Sequence, residues 1–281
     1  MYKEGGHPLY TYFFQTYSFK GRDIVTHLLE TKNLSVSFGE HHVIKDVNVT
    51  VQKGKLISII GPNGAGKTTL FNLLSGQISP TKGEVYFKGQ EITKLSISDR
   101  TRLGMGRSFQ LTNIFPELTV LENVRLSVQS FVQDYYSFFP SSAKFKQQVG
   151  EARRFLKTVL LQEKEHVLAK DLAHGEKRKL ELAMLLALKT DVLLLDEPTA
   201  GISVEEVPAI LQVIENIKKH PESTIVLIEH KMDMVLGLSD HLIVLFHGEL
   251  LAEGLPEEIM KDERVQSAYL GGLYSGTITS E

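Results

Sequence analysis

One stretch limits this chain more than any other: KLISIIGPNGAGKTTLFNLLSG, from Lys55 to Gly76. An apolar run rich in Leu and Ile meets a glycine-rich turn, and a helix-like segment follows. Gly61, Gly66, Lys67 and Thr68 fit the pattern G-x-x-x-x-G-K-[ST]. A buried strand, a tight turn and a helix in that order make a phosphate cradle. Glycines let the backbone curl close to phosphate oxygens with its N–H groups turned inward. The helix that starts near Lys67 adds its positive end. Asn63, Gly64 and Ala65 complete the loop. Lys67 is expected to reach the β- and γ-phosphates, Thr68 to place its hydroxyl on Mg²⁺, and Thr69 to bond a nearer phosphate.

The second half of such a site is VLLLDEPTAG, from Val192 to Gly201. Four apolar residues end in Asp196 and Glu197. A carboxylate at the carboxyl end of a buried strand stands where open α/β sheets bind ligands. Asp196 is expected to hold Mg²⁺ through water. Glu197, the next residue, faces elsewhere by strand alternation and is placed to polarise an attacking water.

The surrounding pattern gives the fold class. KLISIIG, DVLLLDE and STIVLIEH are short, nearly continuous Ile, Leu and Val runs, as in strands buried on both faces of a parallel sheet. Helical stretches separate them, so an α/β layered core follows. NLSVSF and DVNVTV instead alternate apolar and polar residues, the period of half-buried strands. HLIVLFHGELLAEG predicts two strands about the turn His247-Gly248. Between about Ile92 and Lys170 no buried strand run is found, and EARRFLKTVL has helical spacing. That region is expected to be a helical subdomain inserted into the sheet.

Composition excludes several function classes. The 31 basic and 34 acidic residues leave a net charge of −3, without the basic excess of a broad nucleic-acid footprint. Nucleic acid is not an expected partner. There is no cysteine, which removes disulfide and thiolate chemistry. No apolar run approaches the ~18–20 residues of a spanning helix, and no secretory signal is found. The chain is therefore expected in the cytoplasm, with any membrane contact made through a partner.

With these motifs in order, the chain resembles the nucleotide-binding subunits of ABC transporters. LAHGE, from Leu172 to Glu176, stands where the family has its signature, usually LSGGQ, ahead of LLLLDEP. The resemblance implies ATP and Mg²⁺ as cofactors and a P-loop NTPase core of the ABC ATPase type, with an antiparallel β part and an inserted helical subdomain. It implies that two subunits sandwich ATP head to tail, the signature of one closing over the γ-phosphate held by the other. Gly175 would then permit backbone approach, beside His174 and Glu176. Ala173 lacks the usual serine hydroxyl, and His174 is a candidate to replace that donor.

Other positions follow from the same resemblance. Phe38 would stack on adenine; its alternative, a core strand residue, stays open. Gln110, ending RSFQ, would contact Mg²⁺ and water and lead into the helical subdomain. His230 would be the switch histidine that bonds the γ-phosphate and orients water. TAGIS matches the D-loop, with Ser203 where Asp is usual. The resemblance covers about residues 28–271, with about 92–180 as helical subdomain and signature. Residues 1–27 are expected to form a loosely attached extension, with a translation start near Val25 as a further expectation, and 272–281 a tail.

GMGRSFQLTNIFPELTVLENV and GLPEEIMKDERVQSAYLGG look most like the ATPases of branched-chain amino-acid importers. The implied partners are integral-membrane permease subunits, docking near Phe115 and Pro116, a second ATPase or a second copy of this chain, and indirectly a substrate-binding protein. The implied location is the cytoplasmic side of the membrane. A urea or amide importer and a lipopolysaccharide exporter are the alternatives within the family. A soluble, non-transport ABC ATPase is the alternative outside transport, but one phosphate loop and no long heptads weigh against it. A GTPase would need an N-K-x-D motif, which is absent.

Overall fold

The two kinds of strand separate into two sheets. The computed structural model describes residues 27–108, 114–131, 142–220 and 222–274. The chain begins with β1 (His27–Phe38), β2 (His41–Val47) and β3 (Thr50–Gln52), then enters β4 (Leu56–Ile60) and α1 (Lys67–Ser75). β5 (Lys82–Phe87), β6 (Gln90–Glu91), α2 (Ile97–Arg102) and β7 (Met105–Arg107) follow. Next come α3 (Val120–Phe131), α4 (Ser142–Thr158) and α5 (His174–Ala187). β8 (Val192–Asp196), α6 (Val207–Lys218), β9 (Thr224–Ile228), α7 (Met232–Leu238) and β10 (His241–Phe246) return to the core. β11 (Glu249–Gly254), α8 (Pro256–Ile259) and α9 (Glu263–Tyr274) close it.

The alternating strands build an antiparallel sheet, β2-β1-β5-β6, with β3 also paired to β1. The continuous apolar runs build a six-stranded sheet in the order β11-β10-β4-β9-β8-β7. From β10 to β7 its pairs are parallel, and β11 is antiparallel. All residues of β4, β8 and β9 are buried, as their composition requires. α1 fills the space between the sheets with Leu70, Phe71, Leu73 and Leu74. α3, α4, α5 and α6 cover the opposite face through Leu193, Leu195, Ile225 and Leu227. The turn at His247-Gly248 forms as expected. Both residues have positive φ, 48° and 81°, the geometry of a two-residue hairpin turn.

Two expectations need correction. DVNVTV is not one strand: β2 ends at Val47 and β3 begins at Thr50, although Val47, Val49 and Val51 are all buried. Within the supposedly strandless region, β7 pairs in parallel with β8 and forms the edge of the large sheet. Its three residues include Gly106, which gives no strand signal. That glycine is required by packing, because a Cβ there would lie 2.6 Å from Thr190 Oγ1.

At the ends, β1 starts at His27 and α9 runs to Tyr274. The rest of the expected extension, and the tail from 275, lie outside the described residues. Among the described residues no helix is long and apolar enough to cross a membrane.

Candidate functional site

The cradle forms where β4 runs out and α1 begins. Two glycines are dictated by space and backbone. At Gly61 a Cβ would sit 2.2 Å from the Leu245 carbonyl oxygen, because β10 passes close beside the turn. Gly66 caps α1 at φ 97°, and a Cβ there would meet Ile44 Cδ1 at 2.7 Å. Lys67 is the first residue of α1 and only 6% exposed. Its ammonium donates to the carbonyl oxygens of Gly61 at 2.8 Å and Pro62 at 3.0 Å. Burial pushes its pKa down, while the charges of Glu197 and Asp196 oppose that shift. Ala65 is buried and Thr69 half-buried, whereas Asn63, Gly64 and Thr68 face outward.

Asp196 ends β8, in register with Ile228 of β9. Its carboxylate is buried, and burial raises its pKa against the pull of Arg107. Arg107 Nη2 lies 3.4 Å from Asp196 Oδ2 and 2.7 Å from Asn72 Oδ1. Its Nη1 donates to Ser75 Oγ at 2.5 Å and Gln77 Oε1 at 2.8 Å. Arg107 thus ties Asp196 to the far end of the cradle helix, a link the sequence analysis missed. Its only signal was a basic residue directly before SFQ. Asp196 and the Thr68 hydroxyl are hard oxygen donors of the kind Mg²⁺ takes, and the incompletely compensated, buried carboxylate suits a cation.

Glu197 breaks from the strand. Its φ of 44° is left-handed, a conformation that costs of order 1–3 kcal/mol in a non-glycine residue. Simple alternation therefore does not describe where its side chain goes. It turns toward β9's end, and Glu197 Oε1 lies 2.7 Å from His230 Nε2. An ionised carboxylate only accepts, so His230 donates. Glu197 and His230, far apart in the sequence, are partners.

α5 starts at His174 with Ala173 as N-cap. Alanine has no side chain to accept a hydrogen bond, so only half a capping box forms. Glu176 Oε2 accepts from the Ala173 N–H at 3.0 Å, and its Oε1 pairs with Lys164 at 2.5 Å. Gly175 is buried, and a Cβ there would lie 2.7 Å from Glu206 Oε1. In this chain the glycine makes room for that carboxylate. Glu206 Oε2 also accepts from Ser203 Oγ at 3.3 Å, across the D-loop segment. His174 is exposed, and a Cβ on Gly201 would come within 3.5 Å of its Nε2. Arg178, one of three basic residues after the signature, turns inward. It donates to the carbonyls of Pro198 at 3.2 Å and Asp196 at 3.4 Å, and pairs with Glu181 at 2.6 Å.

Phe38 ends β1 and is 53% exposed, so its ring is not a core residue. Phe115 is 49% exposed beside Pro116, which is also exposed. Gln110 lies outside the described residues.

Residues 44–200 match the family model described as ABC transporter. Residues 249–274 match a model described as branched-chain amino acid ATP-binding cassette transporter. The chain is 35% identical over 249 residues to the high-affinity branched-chain amino acid transport ATP-binding protein LivG of Escherichia coli, covering 87% of this chain and 98% of that one. It is 36% identical over 250 residues to BraF of Pseudomonas aeruginosa, a protein of the same description, at 87% and 98% coverage. Among solved structures, the ADP conformation of MJ1267, an ATP-binding cassette of an ABC transporter, superposes with a TM-score of 0.74 at 29% identity, over 87% of this chain and 99% of that one. The dimeric structure of MJ0796, a bacterial ABC transporter cassette, gives 0.67 at 26% identity, over 82% and 99%.

Proposed function

The chain belongs to the ABC transporter family as one of its ATP-binding, ATP-hydrolysing cassettes, and on that premise we propose that it powers the import of branched-chain amino acids. The observation that carries the solute class is the match of the last strand and helix, residues 249–274, to the branched-chain amino acid cassette model, alongside near full-length similarity to LivG and BraF. The exposed Phe115 and Pro116 support a permease contact on the helical side of the molecule. Such a contact would hold the chain at the cytoplasmic face of the membrane, with a substrate-binding protein acting on the permease from the other side. The working unit is a head-to-tail dimer, with a second copy or a second cassette.

The residues divide the chemistry. Loop N–H groups and Lys67 neutralise the β- and γ-phosphates, and Phe38 offers a ring face to adenine. Thr68, Asp196 and Gln110 would hold Mg²⁺, which would supply charge neutralisation on the phosphate oxygens. Glu197 accepts a proton as the water oxygen attacks the γ-phosphorus and the bond to the β–γ bridging oxygen breaks, leaving ADP and phosphate. His230 orients the Glu197 carboxylate through its 2.7 Å hydrogen bond. His174, Gly175 and Glu176 present the mouth of α5 to the nucleotide held by the other subunit.

The test is reconstitution. The complex is purified from native membranes through this chain and placed in proteoliposomes with ATP inside. Leucine, isoleucine or valine with the cognate binding protein should accelerate ATP hydrolysis and accumulate inside the vesicles. Acceleration by urea, with none by these amino acids, would assign the solute to the urea class instead.

A further inference from the structure

Glu229 is a carboxylate the chemistry above does not use. It sits one residue before His230, just past the end of β9, and is only 4% exposed. A charged side chain in such a place needs several hydrogen bonds to offset its lost hydration. Three are present, and all come from the segments that carry the Glu197–His230 pair. Glu229 Oε1 accepts from the Thr199 N–H at 3.1 Å and from the Thr199 hydroxyl at 2.6 Å. Glu229 Oε2 accepts from the His230 N–H at 3.1 Å.

We propose that Glu229 is a positioning residue for ATP hydrolysis, its buried carboxylate clamping Thr199 to His230 so that Glu197 and His230 stay aligned. This inference rests on the reading of Glu197 as the group that takes the water's proton. Glu197 needs such a clamp because its left-handed backbone, φ 44°, is a conformation the surroundings must enforce. One side is fixed where the Glu197 N–H donates to the Ile228 carbonyl at 2.9 Å. Two residues further on, Thr199 is fixed by Glu229. Between them Arg178 holds the carbonyl of Pro198. The same carboxylate fixes the backbone of His230, whose ring then reaches Glu197 Oε1. One buried group therefore sets both partners of the pair, at the carboxyl ends of the adjacent parallel strands β8 and β9. It touches neither the cradle nor Asp196, so nucleotide binding does not depend on it.

Glu229→Gln is the informative change. The amide keeps the size of the side chain but can accept through only one oxygen. Its NH₂ must face either the Thr199 donors or the His230 N–H, so one side of the clamp opens. A displacement of about 1 Å in a reacting group costs up to roughly 100-fold in rate. In the full-length chain, Glu229→Gln is expected to lower kcat for ATP by roughly 10–100-fold, with KM, binding of a fluorescent ATP analogue and Tm close to wild type. The decisive measurement is a double-mutant cycle with Glu197→Gln in single-turnover hydrolysis. If Glu229 acts through Glu197, its effect disappears once Glu197 is already replaced.

A wild-type kcat in Glu229→Gln, beside an inactive Glu197→Gln, overturns this inference and leaves the Glu197 reading standing. So does an effect that simply multiplies with that of Glu197→Gln, or a loss of nucleotide binding and Tm in step with kcat. An active Glu197→Gln removes Glu197 from the mechanism and the inference with it. Thr199→Val, which deletes the hydroxyl donor but keeps the N–H, guards against misfolding of the glutamine variant. It is expected to lower kcat in the same direction by a smaller factor, again with KM unchanged, and a wild-type kcat there counts against the clamp.

Discussion

Lys67 illustrates how a single residue can serve the loop before it serves the nucleotide. Its ammonium is buried against the Gly61 and Pro62 carbonyls, so the cradle carries its own cation at the cost of desolvation. Lys67→Ala removes one charge-assisted phosphate contact, worth about 1.5–3 kcal/mol. Isothermal titration should show ATP affinity falling by roughly 10–100-fold, and wild-type affinity would end its assignment. Tm should change little, because two loop hydrogen bonds and one poorly hydrated charge are lost together. Lys67, Thr68, Asp196, Glu197 and His230 could all be named from the sequence, since their chemistry is written in residue type and order. Arg107, Arg178 and Glu229 could not. Each is a charged residue with partners that lie far away in sequence, and sequence order does not say which distant carbonyl, hydroxyl or carboxylate it meets. The left-handed turn at Glu197 is equally silent, since it is held by contacts of Glu197 with Ile228 and of Thr199 with Glu229, both from the end of another strand.

At the scale of elements, period and turn chemistry made most strands legible. β4, β8 and β9 announce themselves because burial on both faces demands unbroken Ile, Leu and Val. β7 does not, since three residues at a sheet edge are too few to show a period. Helix ends depend on single side chains, and α9 gives a test. Asp262 Oδ1 accepts from the Arg264 N–H at 2.8 Å, and its carboxylate also binds the Arg264 guanidinium. The guanidinium hydrogen bond, followed by the backbone N–H, draws its pKa from 3.8 down to about 2. A depressed carboxylate stabilises the folded state above its ordinary value. That contribution fades as pH falls from about 3.8 towards about 2. Hydrogen exchange in α9, taken relative to its intrinsic rate at each pH, should therefore quicken over that window in the wild type. In Asp262→Ala it should already be faster at neutral pH and should lack this acid step. Equal protection in both proteins would remove Asp262 as the cap.

At the scale of the molecule, the cradle helix, the parallel sheet and the helical face meet around one short circuit of residues. α1 carries Lys67, β8 carries Asp196 and Glu197, the end of β9 carries Glu229 and His230, and α5 reaches the same carbonyls through Arg178. The mouth of α5 itself leaves His174 exposed, as the proposed contact with a second subunit requires. Glu197→Gln tests that arrangement. The amide oxygen can still accept from His230 Nε2, so the pair keeps its geometry, but it cannot take a proton from water. Losing general-base assistance should slow hydrolysis by ~10²–10⁴, equivalent to roughly 3–5 kcal/mol of barrier. Lys67, Thr68 and Asp196 are untouched, so ATP still binds. One negative charge fewer beside the γ-phosphate also reduces repulsion between the closing subunits. With ATP and Mg²⁺ the variant should therefore accumulate as a dimer on size exclusion, alone or with its partner cassette, while the wild type hydrolyses and separates. A variant that binds ATP yet stays monomeric even with the partner cassette present would break the head-to-tail sandwich, and with it the role given to His174, Gly175 and Glu176.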